Sequence, residues 1–240
     1  MKRVGFLTSG GDCQALNATM RGVAKALYNE YGNDLELIGF EDGYKGLMYA
    51  NYRFLNRSDF SGILTKGGTM LGTSRQPFKL MRVPDENGLD KVGLMKHTYY
   101  KLKLDALVVL GGNGSQKTAN LLSEEGLNVI GLPKTIDNDL YGTDHCPGYA
   151  SAAKYIATSV MEVYRDSTVY DTGMITVVEC MGRHAGWLTA AAALANYCGE
   201  GADLIYLPEV DFDLDAFTEK VKAIYEKNKK CLVVVSEGIH

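Results

Sequence analysis

Apolar positions along this chain fall into two periods. Short continuous runs read as buried strands, and stripes repeating every three to four residues read as helices. Lys2–Thr8 is such a run, buried on both faces, and Ser9-Gly10-Gly11-Asp12 turns sharply after it. Leu16, Met20, Val23 and Leu27 then follow at steps of four, three and four, which predicts a helix from about Ala15 to Glu30. Leu35–Phe40 is a second strand, so the chain opens as a strand–helix–strand unit with a parallel pair. Gly43–Leu47 and Gly67–Arg75 read as glycine-containing loops, Asp90–Lys103 as a helix and Leu104–Leu110 as a strand. Gly111–Ser115 is a turn, a helix is expected from near Gln116, and Val129–Leu132 is a strand. After Tyr141 the alternation begins again. Helices are expected at about 150–165, 188–196 and 213–229, and strands at 174–179, 204–207 and 231–236. The pattern predicts an α/β fold of two Rossmann-like lobes with mainly parallel sheets, divided as 1–141 and 142–240, with an active cleft between them.

The heptad Pro133-Lys134-Thr135-Ile136-Asp137-Asn138-Asp139 sets two carboxylates, a hydroxyl and an ammonium just past a strand end, where open α/β sheets bind ligands. Asp137 and Asp139 can divide the work of a proton acceptor and an orienting or metal-linked neighbour, and a polar turn with an Asx cap is the plain alternative. Gly10-Gly11-Asp12 joins a strand to a helix N-terminus, where free N–H groups suit a phosphate. It is neither a P-loop nor a G-x-G-x-x-G motif. Gly111-Gly112-Asn113-Gly114-Ser115 repeats the arrangement, and two such loops in one sheet suit the two ends of a polyphosphate. Arg75 ends a third glycine loop and is placed to neutralise a phosphoryl group or to be a plain surface arginine. In the second half, Met181-Gly182-Arg183-His184 and Glu237 follow strands, where Arg183 could clamp a phosphate or sugar and Glu237 a hydroxyl, or both could simply belong to turns.

Apolar residues make up 46% of the 240 and charged residues 22%, ordinary for a globular protein with a full core. The balance of 25 basic against 29 acidic residues, net −4, gives no electrostatic reason to expect nucleic acid or an anionic membrane. Five cysteines without a C-x-x-C read as reduced, mostly buried thiols. No apolar run approaches a membrane span, and the basic N-terminus is too short in its apolar part for a signal peptide, so a cytoplasmic protein is expected.

Together these stretches resemble the 6-phosphofructokinase family. The matches are Thr8–Asp12, Gly43–Leu47, Gly67–Arg75, Gly111–Ser115, Pro133–Asp139, Met181–Arg183, Pro208–Val210 and Ser236–Gly238, in the family's order and across the whole chain. The resemblance implies an allosteric glycolytic kinase using Mg2+. It would carry the γ-phosphoryl group of ATP to the 1-hydroxyl of fructose 6-phosphate by positioning and charge stabilisation. Asp137 corresponds to the general base, with Thr135 and Asp139 at the reacting end and Asp139 serving the metal. Gly11, Arg75, Gly112, Asn113, Gly114, Ser115 and Lys134 correspond to donor-binding positions. Met181, Gly182, Arg183 and Glu237, with Thr135 and Asp137, correspond to sugar-phosphate positions. A homodimer or homotetramer is implied.

The chain departs from the family in several places. Asn113 stands where many members carry a magnesium-serving aspartate, which leaves its metal role open. Gly114 argues for ATP, since an acidic residue there goes with pyrophosphate; Lys134, usual in pyrophosphate users, argues the other way. Met174 replaces an arginine that reaches a neighbouring subunit, and Gln14-Ala15 replaces Pro-Gly. The family continues past Ser236-Glu237-Gly238, so a fragment or a shortened homologue is expected. Besides the ATP enzyme, three alternatives stand: pyrophosphate-dependent transfer, a non-catalytic nucleotide or sugar-phosphate binder, and an NAD or lipid kinase sharing the first loop.

Overall fold

In the computed structural model, which describes Met1–His240, Val4–Ser9 are buried without a break, and β1 (Lys2–Ser9) lies inside a sheet. A strand covered on both faces can be continuously apolar. β1 pairs in parallel with β2 (Leu35–Phe40) on one side and β4 (Ala106–Gly111) on the other. β5 (Val129–Pro133) extends the sheet in parallel beyond β4, and β3 (Tyr52–Leu55) pairs antiparallel with β2 at the far edge. The order is therefore β3-β2-β1-β4-β5. The chain leaves β1 through α1 (Ala15–Tyr31) to β2 on one side, and later returns to β4 on the other. The strand order thus reverses between β1 and β4, the place where such sheets open a crevice for ligands. One core cluster joins Leu7 and Phe40 of the sheet to Leu107, Val109, Met95 of α3 (Lys91–Lys101) and Leu122 of α4 (Asn113–Glu124).

Four expectations need correction here. Gly43–Leu47 is not a loop: Gly43, at φ 66°, opens α2 (Tyr44–Tyr49), which buries Tyr44, Leu47 and Met48 on one face. Glycine at position 46 is required, because a Cβ there would lie 1.9 Å from the Glu41 carbonyl oxygen. α4 starts at Asn113 rather than near Gln116, so Asn113, Gly114 and Ser115 form its first turn. β3, only four residues long, lies between the two glycine-containing segments, where the apolar pattern assigns no element. The buried stripe of α1 runs through Leu16, Asn17, Met20 and Ala24, leaving Val23 and Leu27 only half-buried.

In the second half, β6 (Met174–Cys180), β8 (Lys230–Ser236) and β7 (Leu204–Tyr206) form a parallel sheet in the order β6-β8-β7. β8 is central and its side chains divide between two faces, as the two-residue period of a strand requires. Leu232 and Val234 pack with Val160 of α5 (Tyr149–Thr168), Ala192 and Ala195. Cys231, Val233 and Val235 pack with Val221 and Phe217 of α7 (Leu214–Asn228). α7 is capped by Asp213, whose carboxylate accepts from the Ala216 amide. It carries Asp215 in its first turn and Lys227 in its last, which complements the helix dipole. The expected alanine-rich helix is α6 (Trp187–Ala191) running on as a 3-10 turn over Ala192–Cys198.

The chain divides into compact units Met1–Thr135 and Ile136–His240, earlier than the break expected after Tyr141. Asn138 gives the reason. It is buried at a left-handed φ of 57°, donates to the Asp144 carbonyl and accepts from the Cys146 amide, so the turn after Thr135 is tied forward toward α5. No helix is long and apolar enough to cross a membrane.

Candidate active site

In the first unit, Ser9 and Gly111 are register partners, so the loops after β1 and β4 leave the sheet side by side at the point where strand order reverses. Gly10 takes φ 89°, which favours glycine. Its carbonyl accepts from the Thr73 hydroxyl at 2.7 Å and its amide donates to the Ser74 carbonyl at 3.4 Å. Thr8 Oγ1 donates to the Gly72 carbonyl at 2.6 Å, and Asp12 Oδ1 accepts from the Thr69 amide at 3.0 Å. Residues 67–75 are therefore laced to the first glycine loop, with the exposed Arg75 at the end of the lacing.

Asn17 completes this fastening. At 1% exposure its Nδ2 donates to the carbonyls of Lys66 at 2.9 Å and Gly68 at 2.6 Å, while its Oδ1 accepts from the Met70 amide at 2.9 Å. The sequence reading missed Asn17. An amide one step from the apolar Leu16 on a buried helix face was the available signal.

α4 begins where β4 ends, and its first-turn amides have no partner further up the helix. Gln116 fixes this corner by donating through Nε2 to the carbonyls of Gly111 at 3.0 Å and Leu132 at 2.8 Å. The buried Tyr44 hydroxyl donates to the Ser115 carbonyl at 2.8 Å, and burial raises its phenol pKa. A Cβ placed on Gly114 would meet nothing within 4 Å, so this glycine faces open space. Lys134 is 7% exposed. Its Nζ donates to the Gly11 carbonyl at 2.5 Å and its amide to the Gly111 carbonyl at 3.1 Å. Gly11, Gly112 and Lys134 thus converge, with Ser115 and Asn113 on the adjoining helix turn. A helix N-terminus, a buried ammonium and a nearby loop ending in arginine are groups whose charge suits a polyanion. Cys13 follows the first loop as a buried thiol whose pKa is raised by burial.

Thr135 closes the first unit as a buried residue. In the second unit the Asn138 turn carries Asp137, half-buried, and Asp139, exposed. There the ends of β6 and β8 also lie level, Cys180 opposite Ser236. The register brings Met181, Gly182 and Arg183 beside Glu237. Glu237 Oε1 accepts from the amides of Gly182 at 3.0 Å and Arg183 at 2.8 Å. Gly182 at φ 135° and Arg183 at φ 56° turn these two amides toward one oxygen. Met181, Arg183 and His184 are exposed. Glu209, in the stretch that follows β7, accepts from the Gly186 amide at 2.6 Å. No group of three or more His, Cys, Asp and Glu side chains converges anywhere in the chain.

A family profile described as Phosphofructokinase matches residues 3–240. The chain is 48% identical to an ATP-dependent 6-phosphofructokinase of Spirochaeta thermophila, with 98% of this chain covering 63% of that protein. It is 38% identical to a pyrophosphate–fructose 6-phosphate 1-phosphotransferase of Amycolatopsis methanolica, covering 98% of this chain and 65% of that one. The crystal structure of a pyrophosphate-dependent phosphofructokinase from Nitrosospira multiformis superimposes with a TM-score of 0.85 at 29% identity, over 99% of this chain and 61% of that one. The chain therefore spans a little under two thirds of the length of these relatives. With the two strand-end loops level at the reversal of the first sheet and the profile matched from Arg3 to His240, the chain belongs to the phosphofructokinase family.

Proposed function

We propose that this chain carries out phosphoryl transfer from ATP to the 1-hydroxyl of fructose 6-phosphate, giving fructose 1,6-bisphosphate, as a cytoplasmic glycolytic enzyme built of two or four copies. The observation that carries the reading is the convergence of Gly11, Gly112 and Lys134 beside the first turn of α4, a cradle for a polyphosphate. Backbone amides of Gly112–Ser115 receive the donor phosphates, Lys134 neutralises them from below, and Arg75 covers the transferring group. Asp137 accepts the proton of the attacking hydroxyl, and Thr135 and Asp139 orient the reacting end. Arg183, with Met181, Gly182 and Glu237, holds the sugar phosphate. Asp139 would help hold magnesium, which when bound shields the negative charge of the donor phosphates.

ATP is favoured because Gly114 faces open space and leaves room for the α-phosphate and what lies beyond it. The pyrophosphate reading is kept for one observation: the buried Lys134 ammonium already sits at the cradle, where it could hold the outer phosphate of a short donor. Side-by-side turnover with ATP–magnesium and pyrophosphate–magnesium separates the two. Gly114→Asp should lower turnover with ATP at least tenfold while the helix folds normally. A Gly114→Asp protein with unchanged ATP turnover would show that the donor does not pass this residue.

A further inference from the structure

Pro208-Glu209-Val210 follows β7 and has no part in the roles set out above. Its carboxylate is nevertheless committed. Glu209 Oε1 accepts from the amide of Gly186, the residue that opens α6 and has no other side-chain cap. Gly186 must be glycine for this contact, since a Cβ there would lie 2.4 Å from Glu209 Oε2 and 3.0 Å from Pro208 Cδ. At the other end of the same short loop, Glu237 Oε1 takes the amides of Gly182 and Arg183. Gly238 closes over the middle, where a Cβ would meet the Arg183 carbonyl oxygen at 1.8 Å and Pro208 Cβ at 3.2 Å. The loop 182–186 is thus gripped at both ends by carboxylates, one from the end of β7 and one just past β8. Arg183 is held at a left-handed φ between the two grips.

We infer that Glu209 is a positioning residue for Arg183: it pins the far end of the loop so that the arginine is presented in one orientation to its anionic ligand. The inference rests on the proposed sugar-phosphate role of Arg183. An arginine with several rotatable bonds gains affinity when its backbone is ordered before binding. A backbone at positive φ, outside glycine, is kept only when its surroundings impose it. Glu237 holds only the amide sides of residues 182 and 183 and reaches no further along the loop. Without the second grip, the 184–186 segment and the start of α6 are released, and the left-handed Arg183 is free to relax.

The test compares Glu209→Ala and Glu209→Gln with the unaltered chain in two measurements. The first is hydrogen exchange of residues 182–187 by mass spectrometry, without ligands. The second is steady-state kinetics with fructose 6-phosphate and each donor. Glu209→Ala is expected to speed exchange across 182–187 while peptides covering 8–12 and 112–116 keep their rates. It should raise the KM for fructose 6-phosphate about tenfold, leaving the donor KM unchanged. Glu209→Gln keeps an acceptor oxygen and should recover most of both effects. Unchanged exchange in Glu209→Ala overturns the clamp. Faster exchange with an unchanged sugar-phosphate KM, or with an equal rise in the donor KM, overturns the link to Arg183. An unaltered chain that turns over neither donor refutes the proposed function instead, and the exchange measurement still decides whether Glu209 holds the loop.

Discussion

Replacing Asn17 tests how the glycine loop beside the end of β1 is held. Its amide makes three hydrogen bonds, to the carbonyls of Lys66 and Gly68 and from the amide of Met70, at 1% exposure. Asn17→Ala removes all three at about 1 kcal/mol net each and strands part of the backbone polarity they served, so a loss of roughly 2–4 kcal/mol is expected. With a urea slope of about 2 kcal/mol per molar, the unfolding midpoint should fall by about 1–2 M. Asn17→Asp is the sharper variant. It keeps the acceptor for Met70 but aims an anionic oxygen at two carbonyls, so at neutral pH it should be at least as damaging as alanine. Those carbonyls and burial raise the pKa of the new carboxyl above its unfolded value. The penalty relative to the unaltered chain should therefore shrink on acidification, as the protonated group regains one donor. Urea titrations followed by far-UV circular dichroism at pH 7 and pH 5 read both effects. An Asn17→Asp chain as stable as the unaltered one at pH 7 would refute the three-bond fastening of residues 66–70.

Other expectations concern the second unit and acid stability. Gly238→Ala puts a methyl group into the Arg183 carbonyl and against Pro208, which must displace backbone. A loss of about 1–3 kcal/mol is expected in thermal melts, and a neutral result would show that the loop has room. Three carboxyls lie below their usual pKa, Asp85 among them through a hydrogen bond from the Leu89 amide. Hydrogen bonds from Lys96 and then Arg82 lower Glu125, and the Arg3 amide lowers Asp105. All three groups favour the folded state above their unfolded values near about 4, and that contribution fades as pH falls through the folded values. Glu125→Gln should flatten the acid limb of the stability curve as pH falls below the ordinary glutamate range; an unchanged limb would show that Glu125 does not contribute to it.

The strands and the two glycine turns were legible because an apolar run bounded by glycine leaves few alternatives in an α/β chain. Leu35–Phe40 and Lys2–Ser9 fall where the run predicts them. Periodicity failed where glycine disguised a helix, as at Tyr44–Tyr49, and where an element was too short to show a period, as at Tyr52–Leu55. Of the candidate site, the residue types at strand ends could be read, since chemistry there needs carboxylates, cations and free amides. What could not be read was which residues hold them. Asn17, Gln116, Asn138 and Glu209 each act on backbone groups several to dozens of positions away. Such contacts depend on tertiary placement and leave no local pattern. Lys134 shows the same limit: its type suggested an anion, but its bond to the Gly11 carbonyl needed the sheet order to bring β5 within reach of the loop after β1.

The most direct test of the central claim is formation of fructose 1,6-bisphosphate from fructose 6-phosphate by this chain, with ATP–magnesium and pyrophosphate–magnesium in parallel and Asp137→Ser as the control. The account predicts product with ATP, little with pyrophosphate, and a loss of at least a hundredfold in the control. Product from pyrophosphate alone, equal product from the control, or no product with either donor would contradict it.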